Sequence, residues 1–259
     1  MFERRSLMAA AALAACLVAG GAYAADVTFT DPTGDDNGPG TYIYPTDAVY
    51  TRGSFDITEF ALKSKGSRAT VEVSVNSNLE DPWGMDVGFS VQMVFIFIDT
   101  DGKEGSGHTE GLPGLNLTFA PDSAWEKVII LSPQPSARVR QEVEAKAGAL
   151  AADIIIPSRV SGSGRTISGQ VKLSEIGEGD PTTWGYQVVM QSNEGFPAEG
   201  DLLTRKVNEF EGQHRFGGGT DYDCDPHAID ILGDASQLQY ECNADGTAKK
   251  GAVLKMMRL

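Results

Sequence analysis

Residues 88–99 read Gly-Phe-Ser-Val-Gln-Met-Val-Phe-Ile-Phe-Ile-Asp, alternating at first and then running through six consecutive apolar residues. Such a segment reads as a central strand buried on both faces, which requires a covering layer on either side of its sheet. Most of the remaining apolar pattern also has period two. Phe55 and Ile57 followed by Phe60 and Leu62 predict a strand with an irregularity in it, and Val71, Val73 and Val75 alternate cleanly. Further strands are predicted at 115–119, 125–131, 137–146, 152–156, 166–173 and 184–191, a single helical turn at 174–177, and a closing strand within 252–259. Over 137–146, Ala137, Val139, Val143, Ala145 and Ala147 share one parity with charged residues on the other, so an edge strand with its charges toward water is expected. Helix is the alternative there, because Glu, Lys, Arg and Ala are helix formers. Many short strands separated by Gly, Pro and Asp turns predict an all-β fold, an antiparallel sandwich or jelly roll.

The chain opens Met1-Phe2-Glu3-Arg4-Arg5 and continues as an Ala- and Leu-rich run to Gly21, the pattern of a secretory leader. Ala22-Tyr23-Ala24 predicts cleavage before Ala25, hence a leader at 1–24, export to the periplasm or the medium, and no spanning segment afterwards. Leu13-Ala14-Ala15-Cys16 also fits a lipoprotein site, with Cys16 as a lipid anchor; the apolar continuation Leu17-Val18-Ala19 fits a signal core better. The remaining residues, 25–259, carry no Pro- or Ser-rich linker and read as one domain. Removing the leader takes away one acid and two bases and moves the net charge from −15 to −16. An acidic chain lacks the basic footprint that nucleic acid or anionic membrane requires, whereas cations and neutral polymers remain open as partners. Charge of this size also serves solubility alone.

Cys224 and Cys242, with seventeen residues between them, are expected to pair in an oxidising compartment. That closure contributes on the order of 3 kcal/mol by restricting the unfolded chain. No Cys-x-x-Cys supports redox chemistry.

Two loops stand out. Asp31 to Asp47 packs acids, glycines, prolines and tyrosines into one run, and Phe216 to Leu232 repeats that composition around Asp221-Tyr222-Asp223-Cys224-Asp225-Pro226. Proline and glycine shape such loops, and carboxylates held in shaped loops suit a hard cation, so calcium is the expected cofactor. Asp31, Asp35 and Asp36 form one candidate ligand set, Asp99 and Asp101 a second, and Asp221, Asp223, Asp225 and Asp230 a third. The second lacks the remainder of an EF-hand loop. For each set the alternative is turn chemistry, with Asp accepting from nearby backbone amides. Tyr42, Tyr44, Trp83 and Tyr186 are candidate carbohydrate-binding aromatics, since a ring face buries the apolar side of a sugar. Trp125 and Trp184 each begin an apolar strand and are expected to be buried anchors.

Both loops, together with Asp81-Pro82-Trp83-Gly84, Gly88-Phe89-Ser90-Val91-Gln92, Ile98-Asp99-Thr100-Asp101, Leu112-Pro113-Gly114 and Trp184-Gly185-Tyr186, resemble the glucodextranase C-terminal domain family in the expected order over nearly all of 25–259. The resemblance implies a DOMON-like β-sandwich that binds carbohydrate or a cell-surface polymer, usually appended to a large glycan hydrolase. On this reading the module is expected to stand alone, without a catalytic domain, and it departs from the family pattern in carrying Cys224 inside the Gly- and Asp-rich motif. Association with an envelope hydrolase, binding of a polysaccharide or surface glycan and absence of catalytic residues are what the resemblance implies; no Gly-x-Ser-x-Gly or His-Glu-x-x-His occurs. Because related DOMON-like sandwiches include b-type cytochromes, haem-mediated electron transfer is the alternative reading alongside protein association. His108, His214, His227, Met85, Met93 and Met190 are its available ligands.

Overall fold

The computed structural model describes residues 26–193, 197–220 and 224–259. The leader with Cys16 lies outside the described residues, as do Asp221 and Asp223. In chain order the elements are β1 (Asp26–Thr30), β2 (Ile57–Lys65), β3 (Arg68–Val75), β4 (Gln92–Asp99), β5 (Leu117–Phe119), β6 (Lys127–Leu131), helix α1 (Ser136–Lys146), β7 (Ile154–Ile155), β8 (Arg159–Ser163), β9 (Thr166–Lys172), helix α2 (Leu173–Ile176), β10 (Gly185–Ser192), β11 (Asp230–Ile231), β12 (Glu241–Cys242), β13 (Ala248–Lys250) and β14 (Ala252–Leu254).

Two five-stranded sheets form the sandwich, ordered β1-β2-β3-β9-β8 and β11-β10-β4-β6-β7. Their pairings are antiparallel except β6 with β7, and the separate pair β5 with β14 is also parallel. The first sheet is amphipathic. In β3, Ala69, Val71, Val73 and Val75 point inward while Arg68, Thr70, Glu72 and Ser74 face outward, the alternation of a sheet with one wet face. Its apolar side packs on Val94, Ile96, Ile98, Ile129, Leu131, Val188 and Met190 of the second sheet. Gly169 lies where the sheets approach closely, since a Cβ there would stand 2.5 Å from Leu131 Cδ2.

The second sheet is covered on both sides, so all eight residues of β4 and all eight of β10 are buried. Met93, Phe95, Phe97, Val128, Ile130 and Val189 form a second core with Trp125, the β5–β14 pair and α1. This is the two-sided covering that the apolar run at 93–98 demands. The strand irregularity is present too, as a register shift between Ile57 and Glu59.

The segment 137–146 is a helix, not the edge strand expected. Val139 and Val143 are its buried residues, spaced i and i+4 on one helical face and followed by buried Ala147 at the C-cap, whereas Gln141 and Ala145, of the same parity, are exposed. A four-residue stripe always preserves parity, so alternation alone does not separate the two conformations. The closing strand is confined to β14; beyond it Met257 still bridges to Tyr186. Among the described residues, no helix is long and apolar enough to cross a membrane.

Candidate metal centre and binding cleft

Where β1 ends, the chain turns off the sheet with Asp31 N–H donating to Thr58 O at 3.0 Å. The loop that follows lies directly against the second unusual segment. Gly38 N–H donates to Ile229 O at 2.8 Å, Ile43 exchanges both backbone bonds with Gly217, and the Tyr42 hydroxyl donates to Pro226 O. Gly218 has φ +83°, and a Cβ there would stand 2.0 Å from Thr41 O, so only glycine allows the two backbones to meet. Two segments nearly 200 residues apart in the chain thus form one structure at one end of the sandwich.

Their contact regroups the predicted ligand sets. Oxygens of Asp31, Asp35 and Asp230 all lie within 4.8 Å of one another. Asp31 and Asp230 are buried; one Asp31 oxygen accepts from Gly233 N–H, and Asp230 accepts from Ile57 N–H at 2.7 Å and Ile231 N–H at 2.8 Å. Asp56, only 1% exposed, flanks them and accepts from Gly34 N–H at 2.8 Å and Asn76 Nδ2 at 3.0 Å. Asp31 Oδ2, Asp35 Oδ1 and Asp56 Oδ1 are buried and accept no hydrogen bond. Burial pushes the Asp31 carboxyl up to about 7, with Asp35 and Asp56 adding like-charge repulsion; burial likewise raises Asp230 well above the usual carboxylate range. Asp36 is diverted from this group, because it accepts the Tyr44 hydroxyl.

The second predicted set is built differently. Asp99, Asp101 and Glu126 also bring oxygens within 4.8 Å, but each oxygen cluster is satisfied from within the chain. Asp99 Oδ1 accepts from Gly102 N–H at 2.7 Å and Asp101 N–H at 3.2 Å, while Oδ2 is paired with the Arg258 guanidinium. Asp101 takes Lys103 N–H and Ser106 Oγ, both at 2.9 Å, and Glu126 Oε2 takes Thr100 N–H at 2.8 Å. From the third set, Asp225 closes a turn by accepting Thr220 Oγ1 at 2.6 Å, and Asp230 has joined Asp31 and Asp35. Cys224 and Cys242 are disulfide-bonded, as expected, tying this loop to β12.

A cleft of about 520 Å³ opens beside the cluster, lined by Asp36, Asn37, Ile43, Tyr44, Arg52, Asp56 and Asn76. Tyr44 is half-buried against Phe55 and Phe216. Trp83 is 37% exposed, with its ring against Tyr50 and His214. The other two predicted aromatics are placed differently. Tyr186 is fully buried between Phe29 and Phe60 with its hydroxyl on Pro181 O at 2.7 Å, so it offers no face to a sugar. Tyr42 forms the inner wall of the cleft, buried and anchored through Pro226 O. Trp125 and Trp184 are buried, as expected.

Of the candidate haem ligands, His108 is held 2.9 Å from Asp153, buried His227 accepts from Val207 N–H, His214 packs on Trp83, and Met93 and Met190 point to opposite faces of the second sheet. Asp56, Asn76, Arg52, Glu126 and Arg258 went unread in the sequence. Asp56 alone had a local signal, as an acid wedged between Phe55 and Ile57 at the strand irregularity.

The sequence profile of the C-terminal, SLH-like binding module of glucodextranase matches residues 27–256. No curated protein matches the chain.

Proposed function

Because the chain belongs to the family of glucodextranase C-terminal binding modules, we propose that it is an exported, non-catalytic module that holds a glucan-like or cell-surface polysaccharide, with calcium bracing the loops that shape its cleft. The observation that carries this reading is the cleft beside the paired loops. Its walls combine the Tyr44 ring and the exposed Ile43 side chain with Arg52, Asn37, Asn76 and Asp36, apolar surface for the sugar ring and polar groups for its hydroxyls. Trp83 supplies a further exposed ring at the same end through its contact with Tyr50, which stacks on Phe55. Loop 31–47 forms much of the wall, so whatever orders that loop orders the cleft. In this reading the module brings a partner, such as an envelope hydrolase, to a glycan surface and leaves the bond chemistry to it.

A glycan array carrying α- and β-glucans, run with and without calcium, tests the proposal. Retention on a glucan that falls at least tenfold in Tyr44→Ala and Arg52→Ala is the expected result. Absence of retention on every glycan under both conditions overturns it, and new reducing ends released from a glucan panel overturn its non-catalytic part.

A further inference from the structure

We infer that Asp31, Asp35 and Asp230 hold a single divalent cation of calcium's class, with Asp56 beside them supplying a fourth negative charge. The inference deepens the calcium part of the proposed reading, and it stands whether or not a glycan is bound.

Size is the first argument. Calcium binds oxygens at about 2.3–2.6 Å, so two ligands of one ion lie about 5 Å apart at most, and oxygens of these three aspartates are close enough for that, all within 4.8 Å of one another. Vacancy of the acceptors is the second. Asp31 is 9% exposed, and its Oδ2 meets no donor although its other oxygen is held by Gly233 N–H. Asp56, buried even more completely, has one oxygen held by Gly34 and Asn76 and the other without a donor. Buried carboxylate oxygens left without donors are destabilising, and a cation satisfies several at once. Charge is the third. Among the described residues no lysine or arginine forms an ion pair with Asp31, Asp35, Asp56 or Asp230, whereas the Asp99 cluster has Arg258.

The donor set selects the ion. It contains oxygen alone, without histidine or cysteine, which favours a hard cation over zinc or copper. Several carboxylates on irregular backbone suit calcium's flexible coordination better than magnesium's strict octahedron. The ligands come from the end of β1, the following loop and β11, and Asp56 precedes β2. One ion therefore clamps the first loop to the strand on which the second loop ends. The turn at Asp99 already has a guanidinium in the place where the first cluster would need an ion.

The test is calorimetric titration of the EDTA-stripped full chain with calcium chloride alone, followed by thermal melts with and without calcium. One ion per chain and a raised melting temperature are expected. Asp31→Asn and Asp35→Asn should each weaken binding at least tenfold, while Asp101→Asn binds as the wild type does. Asp35 is partly exposed in a loop, so Asp35→Asn, checked for native circular dichroism, decides the matter even if Asp31→Asn fails to fold. No heat and no melting shift in the wild type overturns the inference; so does undiminished binding in Asp35→Asn, or loss of binding in Asp101→Asn. No glycan enters the titration, so a blank glycan array would sink the glycan reading and leave this one intact.

Discussion

The two acidic clusters have similar size and residue type, yet they solve the same electrostatic problem in opposite ways. Around Asp99 the chain provides its own cation, Arg258 from the last residues, and backbone amides from the turn itself. Around Asp31 it provides backbone amides, but no lysine or arginine among the described residues forms an ion pair with Asp31, Asp35, Asp56 or Asp230, and three buried carboxylate oxygens remain without donors. Proximity of carboxylates therefore says little about a metal. What distinguishes the clusters is whether the protein already contains the positive charge, because burying like charges without one is strongly unfavourable.

The largest expected effect comes from the staple that backs the Asp230 side of the comparison. Cys242→Ser should lower stability by on the order of 3 kcal/mol, measured by urea unfolding, and should weaken calcium binding at the first cluster without altering the turn at Asp99. Calcium itself comes next. At a hundredfold excess over Kd it stabilises by about 2.7 kcal/mol, which corresponds to a rise of about 5–10 °C in a chain of this size, and EDTA should reverse it. Equal melting temperatures with calcium and with EDTA would abolish the distinction between the clusters.

Arg258→Ala attacks the other side. Asp99 is buried, and removing its guanidinium should cost about 2 kcal/mol after allowance for the partial exposure of Arg258. The same variant should acquire a second, weaker calcium-binding event in calorimetry, since the Asp99 cluster would then lack an internal cation as well. The smallest expected effect on stability is that of Trp83→Ala, about 0.5 kcal/mol or less for a surface substitution. Its retention on a glucan column should nevertheless fall, and unchanged retention would place the glycan wholly within the Tyr44 cleft.

Much of the fold was legible in local pattern. Six apolar residues in succession placed β4 at the centre of a doubly covered sheet, and the break between Ile57 and Phe60 marked a real register shift. Helix α1 replaces the expected strand because Val139 and Val143 satisfy both periods, and the exposed Gln141 is the position that breaks strict alternation. The short strands β1, β8, β11, β12 and β13 went unread, since two to five residues leave little periodicity to detect. The site was legible in kind but not in membership. Acidic, glycine-rich loops marked where carboxylates gather, yet Asp36 was taken up by Tyr44 and Asp225 by Thr220, partners that no spacing rule supplies.

By itself the sequence determined a two-layer β architecture, a disulfide between Cys224 and Cys242, and a pair of shaped acidic loops, because each depends on periodicity, backbone freedom or the chemistry of the residue itself. Only the tertiary structure decided that Asp31 and Asp35 stand with Asp230, that Asp56 flanks them, and that Arg258 reaches Asp99. Those groupings depend on which surfaces the packed sheets bring together across some 200 residues of chain. Burial and counter-charge, the quantities that separate a cation site from a braced turn, do not exist until that packing is complete.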